Sequence, residues 1–370
     1  MPFLKPIYHG NIMQLQKKLQ HILNQIQDNF LNQPLAELPI KPIITENGNV
    51  LDIHLSLGFP SHFFKERLSQ TLTARLQEAF SEYEINLHID HLIKSHRTQL
   101  PGKSLRGIKN TIAIASGKGG VGKSTVAVNL AAALVRSGAR VGILDADIYG
   151  PSIPLMLGKA PPVQIEGDHY LPVLAHGIQA MSIGYLTEGD PALIWRGPML
   201  AKSLLQMLDI TRWQELDYLL IDLPPGTGDI QLSLVQKIPL TGAVIVTTPQ
   251  TVATLDAQKA LKMFAKTNID VLGIIENMSQ HVCSHCGFQE AIFGHDGAEK
   301  LCQSFQCPLL GQLPLHRDIG DHCEQGEPTA LHGKNDLAMA FCKAALRMAV
   351  EIANKPLNYA DKFPPVVVES

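Results

Sequence analysis

Gly117-Lys118-Gly119-Gly120-Val121-Gly122-Lys123-Ser124 fits the pattern G-x-x-x-x-G-K-S/T and carries a second lysine at Lys118. A strand-like apolar run, Thr111 to Ala115, precedes it, and a helix-like run, Thr125 to Arg136, follows. Strand, glycine-rich loop and helix in that order are the context a phosphate-binding loop needs. Glycine lets successive backbone N–H groups curl around a phosphate, and the helix N-terminus adds the positive end of its dipole. Gly117, Lys118, Gly119, Gly120, Val121, Gly122, Lys123, Ser124 and Thr125 are therefore the expected nucleotide-binding residues. Lys123 is expected at the β- and γ-phosphates, and Ser124 on Mg²⁺.

Three further segments suit the same chemistry. Leu219-Leu220-Ile221-Asp222 reads as an apolar strand ending in a carboxylate, the Walker B arrangement in which Asp222 helps hold Mg²⁺. It runs into Leu223-Pro224-Pro225-Gly226-Thr227-Gly228-Asp229, a loop suited to sensing the γ-phosphate. Leu144-Asp145-Ala146-Asp147 ends another strand, and Asp147 is the better placed of its two carboxylates to orient an attacking water. Each carboxylate alone reads as a cap or turn residue; three such loops beside an intact phosphate loop read as a catalytic group of Lys118, Lys123, Asp147 and Asp222.

The rest of the chain divides around this block. Leu15, Leu19, Ile22, Leu23 and Ile26 share one face of a helix predicted over residues 11–30. Val50–Leu57 and Glu84–Leu92 alternate like strands, and Ser61–Phe80 reads as a helix with Ser61 as N-cap. Residues 1–94 thus form a small α/β domain. Residues 95–109, basic and broken by Pro101, Gly102 and Gly107, read as a solvated linker. Beyond Asn110, apolar strands alternate with helices up to residue 353, and the tail 354–370 holds Pro356, Pro364 and Pro365 and reads as extended. The fold class is α/β: a mostly parallel sheet covered by helices on both faces, with its chemistry in the loops after the strands.

Composition narrows the function classes. With 45% hydrophobic and 18% charged residues among 370, there is ample material for a core. A formal net charge of −3 opposes a generally nucleic-acid-binding surface, and no apolar run nears the roughly 18 residues that span a bilayer. Met1 to Gly10 lacks the apolar segment of a secretory signal. The expectation is a cytoplasmic protein with no nucleic-acid or membrane partner, whose six cysteines are thiols, metal ligands or core residues.

Cys283-Ser284-His285-Cys286 has the C-x-x-C spacing that converges two thiolates on one metal centre. One pair supplies two ligands, whereas zinc or an iron–sulfur cluster usually takes four. A symmetric dimer could bring two pairs together across its axis. Cys302 and Cys307 could instead complete a set within one chain, close to a zinc-ribbon pattern. Cys302, beside Leu301 on an amphipathic run, and Cys307, before Pro308–Leu310, also read as structural. Cys323 and Cys342 read as packing residues, and His281 and His285 as exposed loop histidines.

Lys118-Gly119-Gly120-Val121-Gly122-Lys123 resembles the deviant Walker A motif of the MinD-type P-loop ATPases. Within that class, Leu144–Ser152, Trp195-Arg196-Gly197-Pro198-Met199, Pro224–Asp229, Glu276-Asn277-Met278 and the cysteine pair resemble the Mrp/ApbC iron–sulfur cluster carriers, densely from about residue 105 to 330. The resemblance implies a homodimer in which Lys118 reaches the partner's nucleotide, Asn277 contacts adenine near Gln312-Leu313-Pro314, and Cys283 and Cys286 alone bind the cluster. It implies ATP as nucleotide, weak ATPase activity, and a 4Fe–4S cluster bridging two protomers. Its partners would be cluster-assembly machinery and apo iron–sulfur acceptor proteins.

Two other readings compete. A MinD/ParA-like positioning ATPase would want a basic amphipathic helix for membranes, which Pro364 and Pro365 oppose, or a dense basic face for DNA. A zinc-binding targeting ATPase would want a long helical groove, and the proline-rich stretch from Ile148 to Leu208 opposes one.

Overall fold

Residues 8–158, 162–186, 197–283 and 285–358 are described by the structure, a computed structural model, with backbone alone at 8–11 and 197–200. The chain separates into two units, Met1–Lys94 and Ser95–Ser370.

In the first unit, apolar–polar alternation builds a three-stranded sheet of β1 (Ile40–Asn47), β2 (Val50–Leu57) and β3 (Glu84–His91). The central β2 pairs antiparallel with β1 and parallel with β3. Its Leu51, Ile53, Leu55 and Leu57 are fully buried, as are Leu72 and Leu76 of helix α2 (His62–Ala79) and Leu19 of helix α1 (Tyr8–Asn24). The strand β1 escapes sequence reading because Pro42 argues against a strand; it is tolerated here because β1 is an edge. Ser61 does not cap α2 through its side chain; its hydroxyl pairs instead with His91 Nδ1 at 2.9 Å.

The second unit is built on an eight-stranded sheet. Its strands are β4 (Ile108–Ala115), β5 (Val141–Asp145), β6 (Val173–Ala175), β7 (Ile178–Ser182), β8 (Leu216–Asp222), β9 (Gly242–Thr247), β10 (Val271–Glu276) and β11 (Leu309–Gln312). The order is β6-β7-β5-β8-β4-β9-β10-β11, parallel throughout except for β6. Every residue of β5, β8 and β9 is buried, which is why these strands read as unbroken apolar runs. The longer helices of the unit are α3 (Lys123–Arg136), α4 (Gly197–Ile210), α5 (Asp229–Lys237), α6 (Thr251–Lys266), α7 (Gly297–Phe305), α8 (Arg317–Glu324) and α9 (Asp336–Ala353).

The β6–β7 hairpin was not expected from sequence. Ala175 pairs with Ile178 around His176 and Gly177, both at positive φ (52° and 78°). That is a two-residue primed turn, but His-Gly is a weaker signal for it than Asn-Gly or Asp-Gly. The expected linker 95–109 is exposed at residues 101–104 but held at its two ends. His96 is buried against Asn110, Gln99 donates to the carbonyls of Val235 and Ile238, and Ile108 and Lys109 already belong to β4. The beginning of the tail pairs with this stretch, through a bridge between His96 and Leu357. The expected extension over 359–370, and the motif residues Trp195 and Arg196, lie outside the described residues.

Candidate nucleotide site and cysteine turn

Strands β4, β5, β8 and β9 end side by side, so the loops after them converge. The loop after β4 turns through Gly120 and Gly122, both with positive φ (83° and 79°), into α3 at Lys123. Gly117 could be nothing else: a Cβ there would lie 2.1 Å from the backbone of Asp256 on α6.

A cavity of about 210 Å³ opens over this loop. Lys118, Gly119, Gly120, Gly122, Lys123, Ser124 and Thr125 line it, with Asp147 and Ser152 from the loop after β5 and Pro225 from the loop after β8. The structure thus gathers most of the expected phosphate-binding residues around one space. Gly117 and Val121 are not in its wall; they shape the loop from behind.

Asp222 is fully buried beneath the cavity and does not line it. It meets the site through two neighbours. Lys123 Nζ lies 2.6 Å from its Oδ1, and Ser124 Oγ donates to its Oδ2 at 2.5 Å. Ser124 and Asp222 therefore present paired hard oxygens, a donor set suited to Mg²⁺. The positive charge of Lys123, 6% exposed, is neutralised by Asp222 in this arrangement.

The two carboxylates after β5 do different things. Asp147 stands half-buried in the cavity wall; desolvation raises its pKa, and the charge of Lys123 pulls against that rise. Asp145 is fully buried, and desolvation together with the charge of Asp222 pushes its pKa up to about 7. Its Oδ1 accepts the Asp147 N–H at 3.2 Å, and its Oδ2 accepts from the Ile153 N–H at 3.2 Å and the Ser182 hydroxyl at 3.0 Å. Asp145 thus pins both ends of the loop that carries Asp147. In sequence it is only the second candidate for orienting water, because its anchoring partner Ser182 sits on β7, a strand the sequence does not announce.

Asn277, 7% exposed, follows β10 directly. Its Nδ2 donates to the Val121 carbonyl at 2.9 Å. The amide keeps a second donor hydrogen and its oxygen for other partners.

Six residues further on lies the cysteine turn. The N–H groups of Cys286 and His285 donate to Cys283 Sγ and hold its thiol below the usual range. The Gly287 N–H closes the turn on the Cys283 carbonyl at 2.8 Å, with Gly287 at φ 71°. Cys286 is exposed, and Phe288 beside it is 64% exposed. Ser284 lies outside the described residues.

Cys302 and Cys307 do not join this pair. They meet each other at the C-terminus of α7, where Gln306 takes a left-handed φ of 51° and the Cys307 N–H bonds the Cys302 carbonyl at 3.1 Å. Contact with the Cys307 thiol pushes the Cys302 thiol up, and the same contact holds Cys307 down. This is the side-chain contact that commonly closes a helix C-terminus. Among the described residues no three His, Cys, Asp or Glu side chains are placed to hold one metal ion, and no helix is long and apolar enough to cross a membrane.

Residues 107–350 match the family model described as ParA, NUBPL iron-transfer P-loop NTPase. The chain is 47% identical over 340 residues to the iron–sulfur cluster carrier protein of Haemophilus influenzae, covering 91% of this chain and 92% of that protein. It is 47% identical over 333 residues to the Escherichia coli K12 protein of the same name, covering 89% and 90%. Among solved structures, a nucleotide-binding protein from Archaeoglobus fulgidus in complex with ADP is 39% identical, with a TM-score of 0.53 over 60% of this chain and 87% of that one.

Proposed function

The chain belongs to the NUBPL iron-transfer P-loop NTPase family, and on that premise we propose that it binds iron–sulfur clusters and delivers them to apoprotein acceptors in a nucleotide-dependent cycle. The cluster is cargo. Cys283 and Cys286 of one protomer hold one side of it, and the same pair of a second copy holds the other, as a bridging 4Fe–4S cluster. The observation that carries this reading is the incomplete ligand set. Two thiols sit in one exposed turn, one of them pre-set by backbone donors, and no third ligand stands beside them among the described residues. A two-fold axis doubles such a pair to the four ligands a cluster takes.

The cavity over Gly117–Thr125 takes the triphosphate of ATP. Lys123 turns from Asp222 to the β- and γ-phosphates, and Lys118 adds a second positive charge at the partner's nucleotide. Both stabilise charge that develops on the transferring phosphoryl group. Ser124 and Asp222 would hold Mg²⁺, which would supply positive charge against that of the phosphates. Asp147 orients the attacking water, and Asp145 fixes the loop from which it does so. Asn277 contacts the adenine. Slow hydrolysis suits a carrier, because the nucleotide then marks a state of the dimer.

The test is anaerobic reconstitution, with iron, sulfide and zinc measured per protomer in the native chain and in the Cys283→Ala/Cys286→Ala variant. A dimer containing iron and sulfide, both lost in the variant, supports the proposal. Stoichiometric zinc in a monomer, unmoved by the substitutions, overturns it.

A further inference from the structure

The phosphate loop and the cysteine turn are joined by a short stretch of chain held at most of its residues. It starts at Glu276, the last residue of β10, whose buried carboxylate accepts the Ala298 N–H at 2.8 Å and the Gln312 side-chain amide at 3.0 Å. Asn277 follows. Its N–H bonds the Thr247 carbonyl at 2.8 Å, and its Nδ2 bonds the Val121 carbonyl at 2.9 Å. The contact with the loop leaves no slack. A Cβ on Gly122 would lie 2.3 Å from Asn277 Nδ2 and 3.6 Å from Met278 Cε.

The stretch then stays in register up to the thiols. Met278 takes a left-handed φ of 55°, a conformation few non-glycine residues adopt. Ser279 bonds the Leu313 carbonyl twice, through its N–H at 2.9 Å and its hydroxyl at 3.1 Å. The Leu315 N–H returns to the Gln280 carbonyl at 2.8 Å, and His281 forms a bridge with Leu315. The Cys283 N–H bonds the Phe288 carbonyl at 2.9 Å. Between Asn277 and Cys283, the backbones of Asn277, Ser279, Gln280, His281 and Cys283 each have a fixed partner.

We propose that Asn277 is a positioning residue that braces the phosphate loop at Val121 and Gly122 and couples the state of that loop to the cysteine turn through residues 277–283. The inference rests on the nucleotide-and-thiol reading above, and it adds a role for Asn277 distinct from touching adenine. A base contact matters only to ligands that carry a base. A brace matters to any ligand of the loop, because the loop's own conformation depends on it.

Inorganic tripolyphosphate with Mg²⁺ separates the two roles. Binding of Mg²⁺–tripolyphosphate and of Mg²⁺–ATP is measured by calorimetry on the metal-free full chain, native and Asn277→Ala. In parallel, the alkylation rates of Cys283 and Cys286 by N-ethylmaleimide are followed by mass spectrometry with and without each ligand. In the native chain each ligand is expected to change the Cys283 rate by about fivefold or more, the low end of ordinary site-to-site coupling. In Asn277→Ala the Val121 carbonyl is left without its partner. Tripolyphosphate binding should weaken about tenfold, and the ligand-dependent change in alkylation should disappear. Ser279→Ala, which loosens the stretch without touching the loop, should keep tripolyphosphate binding and reduce the change in alkylation. Unaltered tripolyphosphate binding in Asn277→Ala, with ATP binding alone weakened, overturns the brace. A native alkylation rate blind to both ligands overturns the coupling while leaving the carrier function standing. Failure of the native chain to bind either ligand would instead strike the proposed function itself.

Discussion

The phosphate loop and the cysteine turn lie in the same unit, yet the first is lined by many converging residues and the second offers two thiols. Around Gly117–Thr125 the donors are in place, the lysine charge is balanced at 2.6 Å by Asp222, and the neighbouring loop is pinned by Asp145. At Cys283 and Cys286 there are two thiols, one exposed, and no third ligand among the described residues. A site that must recognise the same small anion in every cycle gains from being preformed. A site that must release its cargo to another protein gains from ligands an acceptor can reach and replace.

The sharpest way to break this contrast is to remove the thiols. Cys283→Ala/Cys286→Ala should lose all reconstituted iron while binding Mg²⁺–ATP with native affinity; iron analysis and calorimetry on one preparation report both. Retained iron would mean that the cargo site is elsewhere. Lys123→Ala attacks the other side. It should lower ATP turnover by about a hundredfold or more, the scale of losing a donor aimed at developing charge, while iron per protomer stays constant. The same substitution leaves the buried Asp222 carboxylate without its counter-charge and should destabilise the ligand-free chain by roughly 3 kcal/mol, seen as a lower urea midpoint.

A third prediction concerns pH. Asp145 ionises near 3.8 when unfolded and at about 7 in the folded chain, so between these values the folded chain binds the extra proton. Its contribution is therefore favourable in acid and lost as pH rises from about 4 to 7, by at most about 4 kcal/mol. Asp145→Asn should remove that slope from the pH dependence of the urea midpoint and leave the iron content alone. The smallest effect is expected at the other cysteine pair. Cys302→Ala/Cys307→Ala should cost on the order of 1 kcal/mol of stability and no iron. Loss of metal there would revive the four-cysteine set of a single chain.

The two sites also differ in how far sequence reveals them. The phosphate loop is legible because its chemistry is local: glycines, lysine and serine act within eight residues, between a strand and a helix that the apolar pattern announces. The C-x-x-C spacing is legible for the same reason. What stayed hidden depends on partners far away in the chain. Asp145 looks like any strand-end carboxylate until Ser182, on a strand 37 residues later, donates to it. Asn277 gives no sign that its amide reaches Val121, 156 residues back. The β6–β7 hairpin was missed because its strands are short and its turn uses histidine, and β1 because proline at an edge mimics a break.

Those short strands have a consequence for the borders of the larger sheet. The eight-stranded sheet ends in β6, three residues long, at one side and in β11, four residues long, at the other. Long exposed edges invite other chains to add strands and grow without limit, and short edges deny them a template. With its borders blunted in this way, the sheet is a poor seed for fibrous aggregation even where many copies are crowded together.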